Sequence, residues 1–484
     1  MRILYTPLIT AADLNVCSTI QSSKVFIFHL LETYKNAIVY VVIPSKVRAG
    51  SQLEHPRLKI IEADVWRQRQ QFEMRYVEPK LAQFWDDGEN FIDIVISDKM
   101  PSMGYLKGFL SGLTGCVGGQ SERLYVSLVQ FVLSKHLHGY VDEHILMAQS
   151  EGLIHSDLIF YQCDSQLDRL KREAMKYVAP SQLLSALGRS ERAIPVADFD
   201  SLPKPSEKQA EPIIMNYAVG MNANYHIEEL FNIMDGVYKG GRNVELQINT
   251  PSDVMIWEEV HDIPKKYSHA RWTRNLPYAE WIEQIQRGHL FMYDSEAGDV
   301  SATILTQQLL GQIGLFRSGR YWEKDYIFDG YPYVFSNNKQ ASVLIRHLVD
   351  NYFSDEIQGV IRQQIEFIHA KYDRQNNPSH LVETMVEALV ARKKRAKGSI
   401  SYRLLKKYAE GKSLISWKEL VKFMRAESEK NISINKATGR YGRSPGVWRD
   451  AMILMGFSDV GAEGGTLFQR QGDSIDDLHE MRLL

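Results

Sequence analysis

Residues 268–318 read SHARWTRNLPYAEWIEQIQRGHLFMYDSEAGDVSATILTQQLLGQIGLFRS, and the order of patterns in that stretch decides the fold. A short strand ends in Arg271-Trp272-Thr273, and the chain turns through Asn275-Leu276-Pro277. Ala279, Ile282 and Ile285 then recur at helical spacing, which predicts a helix over 278–287 with one buried face. A strand follows at 289–293, then a polar loop holding Asp294, Ser295, Glu296, Gly298 and Asp299. Ser301 and Thr303 open a second helix that stops near Gly311, and 312–316 reads as another strand. Strand, loop, helix, strand is an α/β design in which the N–H groups at a helix start stand free to meet a phosphate.

The same alternation extends in both directions. Upstream, short β-branched apolar runs predict strands at 2–5, 37–43, 58–61, 92–96, 125–132 and 158–161, with helices at 22–34, 71–85 (kinked at Pro79) and 141–149. Apolar runs without polar alternation suit a parallel sheet covered on both faces, so 1–205 reads as one doubly wound domain. Its ligands belong outside the carboxyl ends of the strands. The glycine-bearing run MGYLKGFLSGLTGCVGG (103–119) has neither GxxxxGK[ST] nor GxGxxG spacing and is expected to be a flexible loop. Residues 190–212 have the polar, proline-rich composition of a linker.

A second α/β domain spans 210–392, opening with a strand at 213–219 that runs into Gly220-Met221-Asn222-Ala223-Asn224, then a helix at 226–237 and a strand at 243–248. Residues 325–333 read as a loop, helices are expected at 339–352 and 356–371, and 380–392 is a candidate return to the first domain.

The order of these parts resembles the GT-B glycosyltransferases, especially the retaining nucleotide-sugar enzymes. The leucine-proline step before the 278–287 helix and the Ser/Glu-Gly loop before the next helix carry the likeness, together with Ser156-Asp157-Leu158-Ile159 and Asp164-Ser165 near the end of the first domain. The resemblance implies two Rossmann-like domains facing a cleft and a nucleotide-sugar donor such as a UDP-sugar. It places the donor diphosphate at Gly220, Asn222, Asn224 and the helix start at Glu296, Gly298, Asp299, Ser301 and Thr303. The base would lie by Arg274 and Leu276, with Arg271 and Arg274 as nearby cations. The acceptor would approach from the first domain, where FVLSKHLHGYVDEH offers His138 first, then His136 and Asp142, as acid–base groups. A polar loop whose histidines bond to backbone is the structural alternative. Retention follows from the likeness alone, and no metal is required if helix ends and basic groups take up the leaving charge. Two departures stand out. Asn222 and Asn224 occupy places where such enzymes carry Arg or Lys, and neither Thr306 nor Gln307 supplies the second glutamate.

Charge sets the remainder apart. From 392 to 449, 17 Lys/Arg stand against 4 Glu, a net of +13, leaving −15 for the rest of a chain whose total is −2. Helices are expected at 402–410, 417–427 and 445–455, with a strand or small wing at 464–468. Three short helices with this charge resemble a helix-turn-helix or winged-helix module over 393–484. Arg392, Lys393, Lys394, Arg395, Lys436, Arg440, Tyr441, Arg443 and Arg449 would then face nucleic-acid phosphates. A solvated basic surface, or one for an acidic protein, is the alternative.

Joined to the transferase fold, this module resembles phage enzymes that glycosylate hydroxymethylated pyrimidines in DNA, which must reach a base inside a duplex. A transferase for a glycan, lipid or protein, and a non-catalytic DNA-binding protein on a degenerate fold, remain the rival readings. Three scattered cysteines, no signal-peptide pattern and no apolar run of about 18 residues predict a soluble cytoplasmic protein without a membrane span.

Overall fold

The computed structural model describes most of residues 1–398, apart from 10–13, 15–17, 46, 48–52, 64–77, 85–90, 117–121, 131, 135–141, 195–198, 200–201, 219–226, 243, 251–268, 275, 295–300 and 321; beyond 398 it describes 431–433, 457–459 and 467–470. The first sheet comprises β1 (Arg2–Thr6), β2 (Ile38–Pro44), β3 (Leu58–Ala63), β4 (Ile94–Ser97), β5 (Leu124–Val129), β6 (Leu158–Tyr161) and β7 (Ser190–Arg192). Its order is β3-β2-β1-β4-β5-β6-β7 and every pairing is parallel. Central β4 (IVIS) and β5 (LYVSLV) are buried at every residue, whereas edge strand β3 alternates and edge strand β7 is half-buried throughout. That gradient follows from helices covering both faces of the middle of the sheet.

The second sheet comprises β8 (Ile213–Ala218), β9 (Val244–Thr250), β10 (Ala270–Arg274), β11 (Leu290–Tyr293), β12 (Ile313–Arg317) and β13 (Val334–Phe335). Its order, β10-β9-β8-β11-β12-β13, is also all parallel. In both sheets the chain reverses its direction of winding beside the first strand, between β1 and β4 and between β8 and β11. Open α/β sheets bind ligands at such switch points.

The decisive stretch folds as its pattern predicts, with helices Tyr278–Arg287 and Ala302–Leu309 in place. Gly311 ends the second helix at φ +78°, a conformation a side chain would strain. Helix Pro378–Gly398 carries Leu381, Val382, Met385 and Leu389 into the core of the first sheet. It continues through residues 392 and 393, past the position where the basic module was expected to begin.

Elsewhere the structure differs from expectation. The glycine-bearing run is no loop but helix Met103–Cys116, because Met103, Leu106 and Leu110 recur on one buried face. Gly104 lets His155 approach, since a Cβ there would lie 3.1 Å from the ring. Helix Glu143–His155 runs well past the expected end at 149, and helix Pro180–Leu187 and β7 occupy ground read as domain end and linker. Pro79 sits in the first turn of the short helix Glu78–Leu81, and residues 71–77 lie outside the described part. The described linker residues from 204 to 209 are held to the second domain. Lys208 Nζ donates to the carbonyls of Gln286 (2.5 Å) and Leu310 (3.0 Å), at the ends of two helices, and burial lowers its pKa to about 8.

The three expected tail helices lie outside the described residues. Of the strand or wing expected at 464–468, only Leu467 and Phe468 are described, within strand Leu467–Arg470, which pairs antiparallel between Asn431–Ser433 and Phe457–Asp459.

Candidate functional site

At the switch point of the second sheet, β11 ends its apolar run and the next residue is Asp294, 1% exposed. Its Oδ1 lies 2.5 Å from Arg317 Nε and 3.1 Å from Arg320 Nη2, while its Oδ2 has no partner among the described residues. Arg317 ends β12 and also pairs through Nη2 with Glu229, in the first turn of helix Ile227–Lys239. Its guanidinium lies 5.4 Å from the Phe335 ring centre. Arg320 N–H donates to Glu323 Oε1 at 3.0 Å. Two arginines are thus fixed by carboxylates from three elements at the carboxyl end of the sheet. Such shared, desolvated pairs hold guanidinium geometry better than surface ones.

Beside this cluster stands the start of helix Ala302–Leu309. Ser301 is its N-cap residue, and its N–H donates to the Tyr326 hydroxyl at 2.5 Å. Burial raises the Tyr326 phenol well above its ordinary range, so the ring remains a neutral hydrogen-bonding group. Thr303 lies half-buried in the first turn. Thr306 and Gln307 are buried, and neither amide atom of Gln307 has a partner among the described residues. Glutamine at 307 puts no charge in this buried position.

Of the other expected donor residues, Arg271 pairs with Glu245 at 3.1 Å and is largely exposed. Arg274 ends β10 and Leu276 is half-buried beyond it. Gly220, Asn222, Asn224, Glu296, Gly298 and Asp299 lie outside the described residues.

The first sheet carries a second cluster that sequence reading missed. At the ends of β1 and β4, Asp98 is 5% exposed and Lys99 is 2% exposed. Asp98 Oδ2 accepts the Tyr5 hydroxyl at 2.5 Å and Leu8 N–H at 3.2 Å, and Oδ1 has no partner among the described residues. Tyr5 also bonds Ser23 at 2.5 Å, tying the cluster to helix Ser18–Thr33. Burial lifts the Asp98 pKa to about 7 and lowers the Lys99 pKa to about 8, against their mutual attraction. A carboxyl poised near neutrality at a switch point has the attributes of an acid–base group. The signal was in the sequence: Ser97-Asp98-Lys99 puts two charges directly after the buried strand IVIS. Asp142 is the exposed N-cap residue of helix Glu143–His155, and His136 and His138 lie outside the described residues.

Two residues expected at nucleic acid are instead engaged within the fold. Arg392 pairs with Asp157 at 2.6 Å, and Lys393 pairs with Asp93, both below the amino ends of the first sheet. Asp157 also accepts Tyr125 N–H at 2.9 Å, so the partner of Arg392 is itself anchored to β5. Lys394 is exposed; Arg395 lies in the same helix. Lys436, Arg440, Tyr441, Arg443 and Arg449 lie outside the described residues. Among the described residues no group of three His, Cys, Asp or Glu is placed to hold a metal, and no helix is long and apolar enough to cross a membrane.

Two parallel α/β domains, each with its own switch point, and a helix from the second packed on the core of the first have the GT-B class of fold. Among solved structures, sucrose-phosphate synthase from Thermosynechococcus elongatus shares the fold with a TM-score of 0.61 and 11% identity, covering 80% of this chain and 99% of that one. The Anabaena protein HepE, solved with UDP and glucose, matches with a TM-score of 0.57 and 10% identity over 80% and 99%. WaaG, a glycosyltransferase involved in lipopolysaccharide biosynthesis, gives 0.53 and 10% over 80% and 99%. No protein-family model matches the chain, and no curated protein does.

Proposed function

We propose that the chain transfers a sugar from a nucleoside-diphosphate donor, a UDP-sugar, to a hydroxyl acceptor. The observation that carries this reading is the pair of buried charged clusters, Asp294–Arg317–Arg320 and Asp98–Lys99, one at the switch point of each sheet. HepE was solved with UDP and with UDP-glucose, which supports a uridine nucleotide as donor. The diphosphate meets the helix starts at Ala302 and Ile227 and the arginines held by Asp294, together with Gly220, Asn222 and Asn224. The base lies by Arg274 and Leu276. Asp98 and His138 are the candidates for exchanging the acceptor proton. Transfer proceeds with retention and without a metal, the leaving charge being met by helix dipoles and guanidinium groups.

The acceptor we propose is a hydroxymethylated base in DNA, reached by flipping the nucleotide. The segregation of +13 into residues 392–449 supports it, less the charges of Arg392 and Lys393 that the fold absorbs.

Titration calorimetry with UDP and UDP-glucose tests the donor site. The wild-type chain is expected to bind both, and Asp294→Ala to lose at least about 30-fold in affinity, since both arginines lose their shared anchor. Removing one partner of a buried pair also costs about 3–5 kcal/mol, so a lower melting temperature is expected alongside. Unchanged UDP affinity in a folded Asp294→Ala protein would remove the cluster from the site.

A further inference from the structure

The two domains meet at a buried carboxylate. Asp325, fully buried in the second domain, accepts the Ser165 hydroxyl of the first domain at 2.5 Å. Ser165 lies in the first turn of helix Asp164–Ala174, whose amino end favours a negative charge. Lys371 Nζ stands 3.5 Å from the other Asp325 oxygen, and the Tyr372 hydroxyl donates to the Asp325 carbonyl at 2.9 Å. Around this joint Lys324 pairs with Asp168 at 3.5 Å, and Arg192 donates to the Lys371 carbonyl at 3.4 Å. For stability alone an apolar contact would serve as well as a buried ionised group. A directional bond between domains does something more: it defines one spacing and not others.

Asp325 belongs to the four-residue helix Glu323–Tyr326, in which Lys324 also reaches the first domain while Glu323 and Tyr326 bond within the second. The Tyr326 hydroxyl holds Ser301 N–H at 2.5 Å, and the Tyr326 carbonyl takes Gln308 Nε2 at 2.8 Å. Both partners belong to the helix proposed to receive the donor. Glu323 receives Arg320 N–H, and Arg320 reaches Asp294. One short segment therefore touches the opposite domain through Asp325 and the donor cluster through Glu323 and Tyr326.

We propose that the Glu323–Tyr326 segment couples the donor helix at Ser301 to the spacing of the two domains, with Asp325 as a positioning residue that acts through Tyr326. A shift at the helix start moves the tyrosine, the tyrosine moves the adjacent aspartate, and the Ser165 bond converts that movement into domain closure. The donor part of this account rests on the nucleotide-sugar reading above; the coupling itself does not.

Hydrogen–deuterium exchange on the full chain without ligand tests the coupling. Ser165→Ala, made in the first domain, is expected to speed amide exchange at residues 301–304 of the second domain about tenfold. Asp325→Asn should do the same, and Ser165→Thr, which keeps the hydroxyl, should restore slow exchange. If Asp325→Asn fails to fold, the Ser165 pair decides alone. Unchanged exchange at 301–304 in Ser165→Ala overturns the proposal. UDP is then added to the wild-type chain, where slower exchange at residues 163–168 is expected. UDP binding without that change also overturns the coupling. A chain that does not bind UDP contradicts the donor reading, and the ligand-free comparison still decides the coupling.

Discussion

Asp98→Asn is expected to make the protein more stable above neutral pH and, at the same time, a much poorer transferase. In the folded chain Asp98 keeps its proton up to about pH 7, against 3.8 for the free side chain. Below about pH 4 both folded and unfolded chains are protonated there, and the group contributes nothing to pH dependence. Between about 4 and 7 the folded chain holds a proton that the unfolded one has released, so stability falls as pH rises through that window. Above it the full cost of ionising a buried carboxyl is present, at most about 4 kcal/mol at 1.36 kcal/mol per unit. Asparagine keeps an oxygen for Tyr5 and Leu8 but has no charge to bury. Melting temperatures from pH 4 to 8 should therefore converge at the acid end and separate by several degrees at the basic end. If Asp98 exchanges the acceptor proton, the same substitution lowers transfer by about a hundredfold or more. A structural carboxylate gives the opposite pairing, lower stability with activity kept.

Deleting residues 399–484 is expected to separate donor chemistry from delivery of the acceptor. The cut leaves helix Pro378–Gly398 whole, with Leu381, Met385 and the Arg392–Asp157 pair still docked on the first domain. Slow hydrolysis of the sugar nucleotide should stay within about twofold of the intact chain. Transfer to hydroxymethylated DNA at physiological salt should fall about a hundredfold or more, because several phosphate contacts together govern affinity and its salt dependence. The intact chain should lose transfer steeply between about 50 and 200 mM salt, and the truncated chain should not. Equal transfer by both would move the acceptor away from nucleic acid and toward a glycan, lipid or protein.

The second domain was the more legible because its signals are local. In 268–318 apolar spacing changes from strand to helix and back across Pro277 and Gly311, so each element declares its own ends. Helix Met103–Cys116 was hidden because its glycines argue against a helix, and only packing against His155 and the buried stripe outweighs them. The Asp98 cluster was hidden for a different reason. Tyr5, Ser23 and Asp98 are far apart in sequence, and the β1–β4 pairing with the packing of helix Ser18–Thr33 brings them together. The same holds for Asp294 with Arg317, and for Arg392 and Lys393. Charge count placed the last two in a basic module, whereas the returning helix delivers them to Asp157 and Asp93. A sum of charges along a chain says nothing of which ones a carboxylate already holds.

The most direct measurement is incubation of the intact chain with labelled UDP-sugars and three DNA duplexes, hydroxymethylated, methylated and plain. Label retained on the hydroxymethylated duplex alone, with UDP released in equal amount, is the expected result. No UDP released from any donor, whatever acceptor is present, would contradict the claim that these two domains hold an activated sugar.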